Sequence, residues 1–368
     1  MIYLDNAATT RRKPLCAYLS LMKENLLSAN PGRGGHRASI AAALKVEETR
    51  RIIREKFFDG DVIFTKNCTE ALNLAFTAQL KNKKVVTSTA EHTSVLRPLK
   101  RLSEQGKIFL TIVDPGVDEF RKNIDRATGM VVIGAVSNVT GQSNPVEEIS
   151  KIAKEKSDAL VVVDGAQSAG KIDLDLSKVD MFATSGHKSL HGFQGTGFLI
   201  VRKGITLDPL ITGGTGISGP VIDVPNDIPE GMEAGTLNAP GIIALGKAIE
   251  YTYKNMERIT SKENRLATLF CNKLSEEKNV VIYSCRNGIV LCNVKDRPCS
   301  EVADILSQKY GVYVRSGLHC APLMHKKLGT LPEGAVRVSF GRNNNIFHAL
   351  YAARAFKNIC RGENADAY

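Results

Sequence analysis

Short apolar runs that alternate with helical stretches constrain the fold of this 368-residue chain more than any other feature. Apolar residues recur at helical spacing in segments such as Ser39–Phe58 and Thr69–Leu80. Continuous apolar strands with helices between them are typical of a mainly parallel sheet covered on both faces. The sequence therefore predicts an α/β fold. The predicted strands are Lys84–Ser88, Ile108–Val113, Met130–Ser137, Leu160–Val163, Met181–Thr184 and Gly197–Val201.

A second, smaller α+β domain is predicted in the last third of the chain. Gly241–Leu274 has the pattern of one long helix that leaves the first domain. We place the large domain at residues 15–250 and build the small domain from residues 1–14 and 251–368. The strand-like runs of the small domain are Val280–Tyr283, Gly288–Val294, Val312–Arg315 and Ala335–Phe340.

The composition excludes several classes of protein. No apolar run approaches the roughly 18 to 20 residues that cross a bilayer, and the first residues lack the order of a signal peptide, so a cytoplasmic protein is expected. The net charge of +11 is dispersed, which makes nucleic-acid binding a weak alternative to solvated helix faces. Eight cysteines without a CxxC pair predict neither a disulfide framework nor a metal site.

An acid and a lysine follow two neighbouring predicted strands. Asp164 ends the run at 160–163, and Lys188 follows the run at 181–184 through Ser-Gly-His. Ligands of parallel sheets collect beyond the carboxyl ends of the strands. A lysine that forms a Schiff base and a carboxylate that keeps a pyridine nitrogen protonated are what pyridoxal phosphate requires. Lys188 alone could be a surface lysine, but an unpaired carboxylate at Asp164 would be costly.

Other polar residues at the predicted strand ends have roles suited to this cofactor. A phosphate is expected at a helix N-terminus, where Thr69 offers a hydroxyl and Ser185 and His187 are available; an ordinary N-cap threonine is the alternative. Gln167 could donate to the phenolic oxygen or cap a helix. His92 could lie over the ring and relay protons, or be a plain loop residue.

The segment 315–324 is a second focus of chemistry. Gly317 and Pro322 bracket a loop, so Cys320 is expected to be exposed, and the nearby arginine and histidine favour a reactive thiolate. A buried apolar cysteine is the alternative. Arg337 lies in a strand-like alternation, and its forked guanidinium suits bidentate capture of a substrate carboxylate.

Taken together and in order, these segments resemble the cysteine desulfurase and selenocysteine lyase branch of the class V aminotransferase family, in the form with a short catalytic loop. The resemblance implies a fold type I pyridoxal phosphate-dependent transferase, similar to aspartate aminotransferase. The segments that carry it include Tyr3–Thr10, Cys68–Ala75, Glu91–Pro98, Ser137–Pro145, Val163–Gly170, Thr184–Gly197, Glu233–Gly246, Arg315–Met324 and Val336–Gly341.

The resemblance also implies a role for each candidate residue around the cofactor. Thr236 belongs to a segment that family members lend to the phosphate of the neighbouring subunit, which implies a homodimer. The remaining contacts are Lys188 as the Schiff-base lysine, Asp164 on the pyridine nitrogen, Gln167 on the phenolic oxygen, His92 stacked on the ring, and Thr69, Ser185 and His187 on the phosphate.

For the substrate, the resemblance implies that Asn138 and Arg337 hold the carboxylate, with Arg315 nearby, and that Cys320 forms a persulfide. The expected reaction removes sulfur from L-cysteine to give L-alanine, with an acceptor protein as a further partner for sulfur or selenium. L-selenocysteine lyase activity that releases selenide, transamination and a non-catalytic sulfur-relay protein remain alternatives. Either His92 or His319 could carry the proton.

Overall fold

The computed structural model of the chain describes residues 1–27, 29–32, 34–215 and 227–362. After a short first strand, β1 (Ile2–Tyr3), the chain forms a seven-stranded sheet with the order β2-β8-β7-β6-β5-β3-β4. Its strands are β2 (Asp61–Thr65), β3 (Lys84–Ser88), β4 (Phe109–Val113), β5 (Thr128–Gly134), β6 (Leu160–Asp164), β7 (Met181–Ser185) and β8 (Gly197–Val201).

The prediction of a mainly parallel sheet is confirmed. β4, β3, β5, β6 and β7 pair in parallel, whereas β8 runs antiparallel to both of its neighbours, β7 and β2. Successive side chains of a strand point to opposite faces. Val161 and Val163 accordingly belong to one hydrophobic core and Val162 to another. Both faces are therefore buried, which explains why the strands are apolar without alternation.

Helices cover these faces and connect the strands. The predicted helix from Thr69 ends at Ala75 instead of Leu80. Just after this end, the Thr77 hydroxyl donates a hydrogen bond to the Leu74 carbonyl. The predicted long helix is two helices separated at Asn255, whose side chain donates to the Tyr251 carbonyl. The helices are α1 (Leu15–Leu27), α2 (Arg37–Lys56), α3 (Cys68–Ala75), α4 (Thr93–Glu104), α5 (Val117–Asn123), α6 (Val146–Lys156), α7 (Ala239–Lys254), α8 (Met256–Leu274), α9 (Cys299–Gln308), α10 (Pro322–Lys327) and α11 (Ile346–Cys360), with a 3₁₀ turn at Glu230–Met232.

The last third of the chain forms a smaller antiparallel sheet in the order β12-β13-β10-β9. Its core includes Ile2 and Leu4 from the start of the chain, and β1 pairs with β11. The division at residues 14/15 and 250/251 stays a prediction, and residues 216–226 and 363–368 lie outside the described residues. The strands are β9 (Val280–Arg286), β10 (Ile289–Val294), β11 (Val312–Tyr313), β12 (Arg315–Gly317) and β13 (Ala335–Ser339).

The sheet order brings the polar strand ends together. Parallel strands β3, β5, β6 and β7 are consecutive neighbours, so the segments that follow them leave the same edge. Asp164 is the last residue of β6 and lies opposite Ala183 of β7, five residues before Lys188. No helix among the described residues is long and apolar enough to cross a membrane.

Candidate active site

A cavity of about 610 Å³, open to solvent, lies at this edge of the large sheet. Asp164 and Lys188 both line it, so the two residues on which the sequence argument depends share one space. Of the other predicted residues, Thr236, Arg315, Arg337 and Cys320 do not belong to its lining. The predicted residues that do are Thr69, His92, Asn138, Asp164, Gln167, Ser185, His187 and Lys188.

The Asp164 carboxylate is buried and held through one of its oxygens. Oδ1 accepts hydrogen bonds from the Ala166 N–H at 2.9 Å and from the Cys68 thiol at 3.4 Å. Burial raises the pKa of Cys68, and the Asp164 charge raises it further, so this thiol stays protonated and donates. Both contacts go to Oδ1, which leaves Oδ2 to accept from a ring N–H.

The Lys188 amine is in an environment that favours its neutral form. Burial lowers the pKa of Lys188, although the nearby Asp164 charge opposes this shift. The N-terminal segment fixes the lysine loop, since Thr10 donates its N–H to the His187 carbonyl and its hydroxyl to the Lys188 carbonyl. A neutral amine is the form that can bond covalently to an aldehyde or take a proton.

Two buried polar groups lie unpaired among the residues predicted to bind a phosphate. The Ser185 hydroxyl and His187 Nδ1 are buried without a hydrogen-bond partner. Burial lowers the pKa of His187 to about 4, with further lowering by Lys188 and Lys13, so the ring is neutral. These two unpaired groups and the N–H groups at the start of α3 fit a phosphate.

Thr69 lies in the first turn of α3, and its hydroxyl is 2.7 Å from that of Ser94. The alternative that Thr69 is the N-cap is wrong. Asn67 occupies that position, and its side chain accepts from the Glu70 N–H. Asn67 and Thr69, two residues apart, are both suitable cap residues, and the extended backbone of Asn67 decides between them.

His92 caps α4 and also lines the cavity. Its Nδ1 accepts from the Ser94 N–H at 3.0 Å, so the ring proton resides on Nε2 in the neutral tautomer. Burial lowers the pKa of His92, although Asp164 opposes the shift. His92 is thus a neutral imidazole at the cavity wall and not a plain loop residue.

Gln167 is buried at the cavity wall and donates one N–H to the Ala7 carbonyl at 2.8 Å. Its amide has a second N–H, which suits a phenolic oxygen. The helix-cap alternative is wrong, because turns and not an α-helix follow β6 within the described residues.

The predicted carboxylate fork of Arg337 is already engaged. Arg337 is 2% exposed, and its Nη atoms donate to the Asn138 carbonyl at 2.8 Å and to Asp5 at 2.9 Å. Its Nε is buried and unpartnered. The sequence suggested a free fork and missed Asp5, which lies 332 positions away. Arg315 pairs in register with Arg337 across β12 and β13.

The Cys320 loop is bonded to the cavity rim. The Thr93 N–H donates to the Cys320 carbonyl at 2.8 Å, and the Asn138 amide donates to the His319 carbonyl at 2.6 Å. Cys320 is exposed. The His319 ring, in contrast, is buried. Burial and the Arg337 charge lower the pKa of His319 to about 3, so the ring is neutral and provides no positive charge near the thiol.

Glu91 is a buried acid at the cavity wall that the sequence reasoning overlooked. It accepts from the Ser88 hydroxyl and the Gly134 N–H, each at 2.7 Å. Burial raises the pKa of Glu91 to about 8. Its place between a strand end and His92 was the available signal.

We expect Glu91→Gln to stabilise the protein increasingly as the pH rises. A folded-state pKa above the unfolded value means that the folded state binds the proton more tightly. The contribution of Glu91 to the free energy of unfolding therefore falls as the pH rises from its ordinary pKa of 4.5 to about 8. Glutamine keeps an acceptor for Gly134 and a donor for Ser88. The melting temperature of the variant minus that of the wild type should grow from about pH 5 to about pH 8 and then level. The exposed Glu155→Gln is the control, and a pH-independent difference would contradict this assignment.

Comparison with known proteins agrees with this architecture. The model of the family described as Aminotransferase class-V matches residues 2–347. The chain belongs to the class V aminotransferase family. It is 35% identical to a probable cysteine desulfurase of Pyrococcus abyssi (strain GE5 / Orsay), over 98% of this chain and 93% of that protein. A probable cysteine desulfurase of Methanothermobacter thermautotrophicus is 33% identical over 92% of this chain and 89% of that protein.

Among solved structures, the apo cysteine desulfurase of Thermococcus onnurineus NA1 superposes with a TM-score of 0.90. It is 32% identical, and the match covers 98% of this chain and 95% of that one. A NifS-like protein superposes with a TM-score of 0.86 at 26% identity, covering 98% of this chain and 99% of that one. The predicted fold type I architecture is confirmed.

Proposed function

We propose that this chain is a pyridoxal phosphate-dependent cysteine desulfurase that converts L-cysteine to L-alanine and leaves the sulfur as a persulfide on Cys320. The observation that carries this proposal is the shared cavity of Asp164 and Lys188, with the Cys320 loop hydrogen-bonded to its rim. The names of the relatives and of the superposed desulfurase structure support it.

The cavity residues fit pyridoxal phosphate. Asp164 Oδ2 would accept from the pyridine N–H, the second Gln167 N–H would donate to the phenolic oxygen, and Lys188 would bind the cofactor covalently. Ser185, His187 and Thr69 would hold the phosphate, with His92 against the ring. When bound, the cofactor supplies an electron sink for the charge that develops at the substrate α-carbon.

The chain's own residues supply the remaining chemistry. The Lys188 amine takes the proton from the α-carbon, which its lowered pKa permits. The Cys320 thiolate then attacks the substrate sulfur, so that an S–S bond forms and the carbon–sulfur bond breaks with its electron pair left on carbon. Protonation of that carbon, and return of a proton from the Lys188 ammonium to the α-carbon, complete L-alanine. The substrate carboxylate would bind beside Asn138, with Arg315 and Arg337 behind the cavity lining, and a direct contact with Arg337 would require its fork to release Asp5 or the Asn138 carbonyl.

We assign the role of proton carrier beside the cofactor ring to His92 instead of His319. His92 uses only Nδ1 in its cap and lines the cavity. His319 has ring contacts at both nitrogens, to His325 and to the Arg315 carbonyl. A ring with both nitrogens occupied inside the protein has no free site for a substrate proton.

A homodimer is part of the proposal. Thr236 is exposed and lines a second cavity, away from Lys188, so its predicted phosphate contact requires another subunit. Exposed apolar side chains lie on one face of α1, and two more lie on α2; exposed apolar residues of this kind are typical of an interface. These residues are Leu15, Tyr18, Leu19, Met22, Leu26, Ile40 and Leu44.

We expect Leu19→Glu to disrupt that dimer. Leu19 is 52% exposed in the single chain, and a carboxylate buried there between subunits would lack a partner. Dimerisation should weaken by at least about tenfold, and turnover should fall with it because Thr236 no longer reaches the partner site. Light scattering measures the mass, with Phe109→Glu, on the edge strand β4, as the control. Equal loss of mass in both variants, or none in Leu19→Glu, would contradict the interface.

The proposed reaction is tested by parallel assays with L-cysteine and L-selenocysteine. Protein supplied with pyridoxal phosphate should form alanine from L-cysteine and, with a thiol reductant, sulfide. The value of kcat/KM for each substrate decides between desulfurase and selenocysteine lyase. Alanine formation from L-selenocysteine alone, or transfer of the amino group to a keto acid, would refute the proposal. A protein acceptor for the sulfur is a further partner we propose, since Cys320 is exposed.

A further inference from the structure

A buried pair of histidines, which take no part in the proposed reaction, adjoins the Cys320 loop. His319 and His325 are 3% and 0% exposed. His319 Nδ1 is 3.2 Å from His325 Nε2, and His325 Nδ1 is 2.8 Å from the Thr330 hydroxyl. At the other end, His319 Nε2 faces the Arg315 carbonyl at 3.4 Å. The four groups form one line from Arg315 in β12 to Thr330, three residues after the end of α10.

Both rings are neutral, so each has one N–H and one lone pair. Burial lowers the pKa of His325 as well as that of His319. The Arg315 carbonyl can only accept, so His319 must carry its proton on Nε2. His319 Nδ1 then accepts from His325 Nε2–H, and His325 Nδ1 accepts from the Thr330 hydroxyl. One end therefore determines the tautomer of every ring.

The opposite arrangement fails at the same carbonyl. If Thr330 accepted from His325 Nδ1–H, His325 would present a lone pair at Nε2 and His319 would donate from Nδ1. The His319 Nε2 lone pair would then face the Arg315 carbonyl oxygen, which is repulsive. The Thr330 hydroxyl also lies 3.2 Å from the His325 carbonyl oxygen, but the Thr330 N–H already donates to that oxygen at 3.0 Å, and the shorter hydroxyl contact is the one to His325 Nδ1 at 2.8 Å.

The backbone next to this line is strained. His319 and Cys320 both have positive φ angles, of 50° and 56°, which side-chain-bearing residues adopt rarely. Such a conformation persists only where the surroundings fix it. The His319 ring is the side chain in that turn that is anchored at both nitrogens, and its carbonyl is held by Asn138.

We propose that His325 is a positioning residue, which anchors the His319 ring at Nδ1 and thereby holds the strained turn that presents the Cys320 sulfur to the substrate. This inference rests on the proposed function for the role of Cys320. The line ends at a backbone carbonyl and not at the cavity, so it orients the turn and does not conduct protons to the substrate.

The tautomers provide a test that does not require turnover. Ring ¹⁵N chemical shifts of labelled protein, assigned with single histidine variants, should show His319 and His325 protonated at Nε2 only. His325→Asn, whose amide is too short to reach His319, should change the His319 shifts. His325→Gln places an amide N–H where Nε2–H was and should preserve them. A His319 ring protonated at Nδ1 in the wild type would overturn the assignment.

Kinetics then test the link to Cys320. His325→Asn should lower kcat for L-cysteine by about tenfold, the scale of a misplaced reacting atom, with little change in KM. His325→Gln should recover most of this loss, and Thr330→Val should show part of it. In a Cys320→Ser background, His325→Asn should leave the spectral response of the loaded enzyme to L-cysteine as it was.

Three results would contradict the positioning role. The first is a kcat for His325→Gln as low as that for His325→Asn. The second is loss of cofactor uptake in parallel with kcat, which marks a general structural defect. The third is a change in the spectral response to L-cysteine when His325→Asn is added to the Cys320→Ser variant. If wild-type protein forms no alanine, the proposed function fails instead, and the ¹⁵N shifts still decide the histidine assignment.

Discussion

Replacing Lys188 by alanine is expected to reduce turnover of L-cysteine by at least about 10³-fold, since one side chain provides both covalent attachment of the cofactor and the base for the α-proton. The lowered pKa of Lys188 and its place in the same cavity as Asp164 are the basis of this expectation. The measurement is alanine formation at saturating cofactor. Lys178→Ala, an exposed lysine before β7, is the control.

The purified Lys188→Ala protein should also lose the yellow colour that survives gel filtration in the wild type, or keep only dissociable cofactor. Asp164 and the residues proposed to bind the phosphate remain in the variant, so the chain should still fold and bind the cofactor without a covalent bond. Full activity in Lys188→Ala, or equal loss in Lys178→Ala, would contradict the role of Lys188.

Replacing Cys320 by serine is expected to lower sulfide release from L-cysteine by at least about 10²-fold and to abolish the protein-bound persulfide. A hydroxyl of the same size cannot attack sulfur as a thiolate does. Groups of the cavity are untouched, so the spectral response to L-cysteine should remain. Mass spectrometry of tryptic peptides after exposure to L-cysteine detects the added sulfur.

Cys16→Ser is the matched control for this prediction, since Cys16 is the other exposed cysteine. It should keep both the persulfide and the rate. Retention of full desulfuration in Cys320→Ser would refute the persulfide step. Retention with L-selenocysteine but not with L-cysteine would point to a selectivity role for Cys320, because selenium leaves carbon more easily.

Much of the large sheet and its polar edge was predictable because both depend on local patterns. Uninterrupted apolar runs identify buried parallel strands, and the residues directly after them must lie at the carboxyl edge. Asp164, Lys188 and His92 reach one cavity for this reason. The predicted ends of these strands lie within three residues of the observed ends, and the polar residues follow the apolar runs closely enough to stay at the same edge.

Contacts between distant segments could not be read from the sequence. The pairing of Arg337 with Asp5 joins residues 332 positions apart and converts a predicted free fork into a shared one. The burial of Glu91 depends on the Gly134 N–H of a neighbouring strand. Periodicity carries no information on such pairs, since each partner alone is an ordinary polar residue.

The sequence also could not decide between nearby residues of similar chemistry. Asn67 and Thr69 are both good caps, and only the backbone conformation assigns the cap to Asn67. His319 was a candidate proton carrier by its position beside Cys320, whereas its ring is turned to His325. Side-chain direction within a turn depends on the φ angles, which are unusual in this loop.

The central claim is that Lys188 and Asp164 hold one pyridoxal phosphate between two neighbouring strand ends. Borohydride reduction of the loaded protein, followed by peptide mass mapping, tests it most directly. The account predicts a pyridoxyl group on Lys188, stoichiometric with the chain and strongly reduced in Asp164→Ala. A pyridoxyl group on a different lysine, or its absence from protein saturated with the cofactor, would contradict the account.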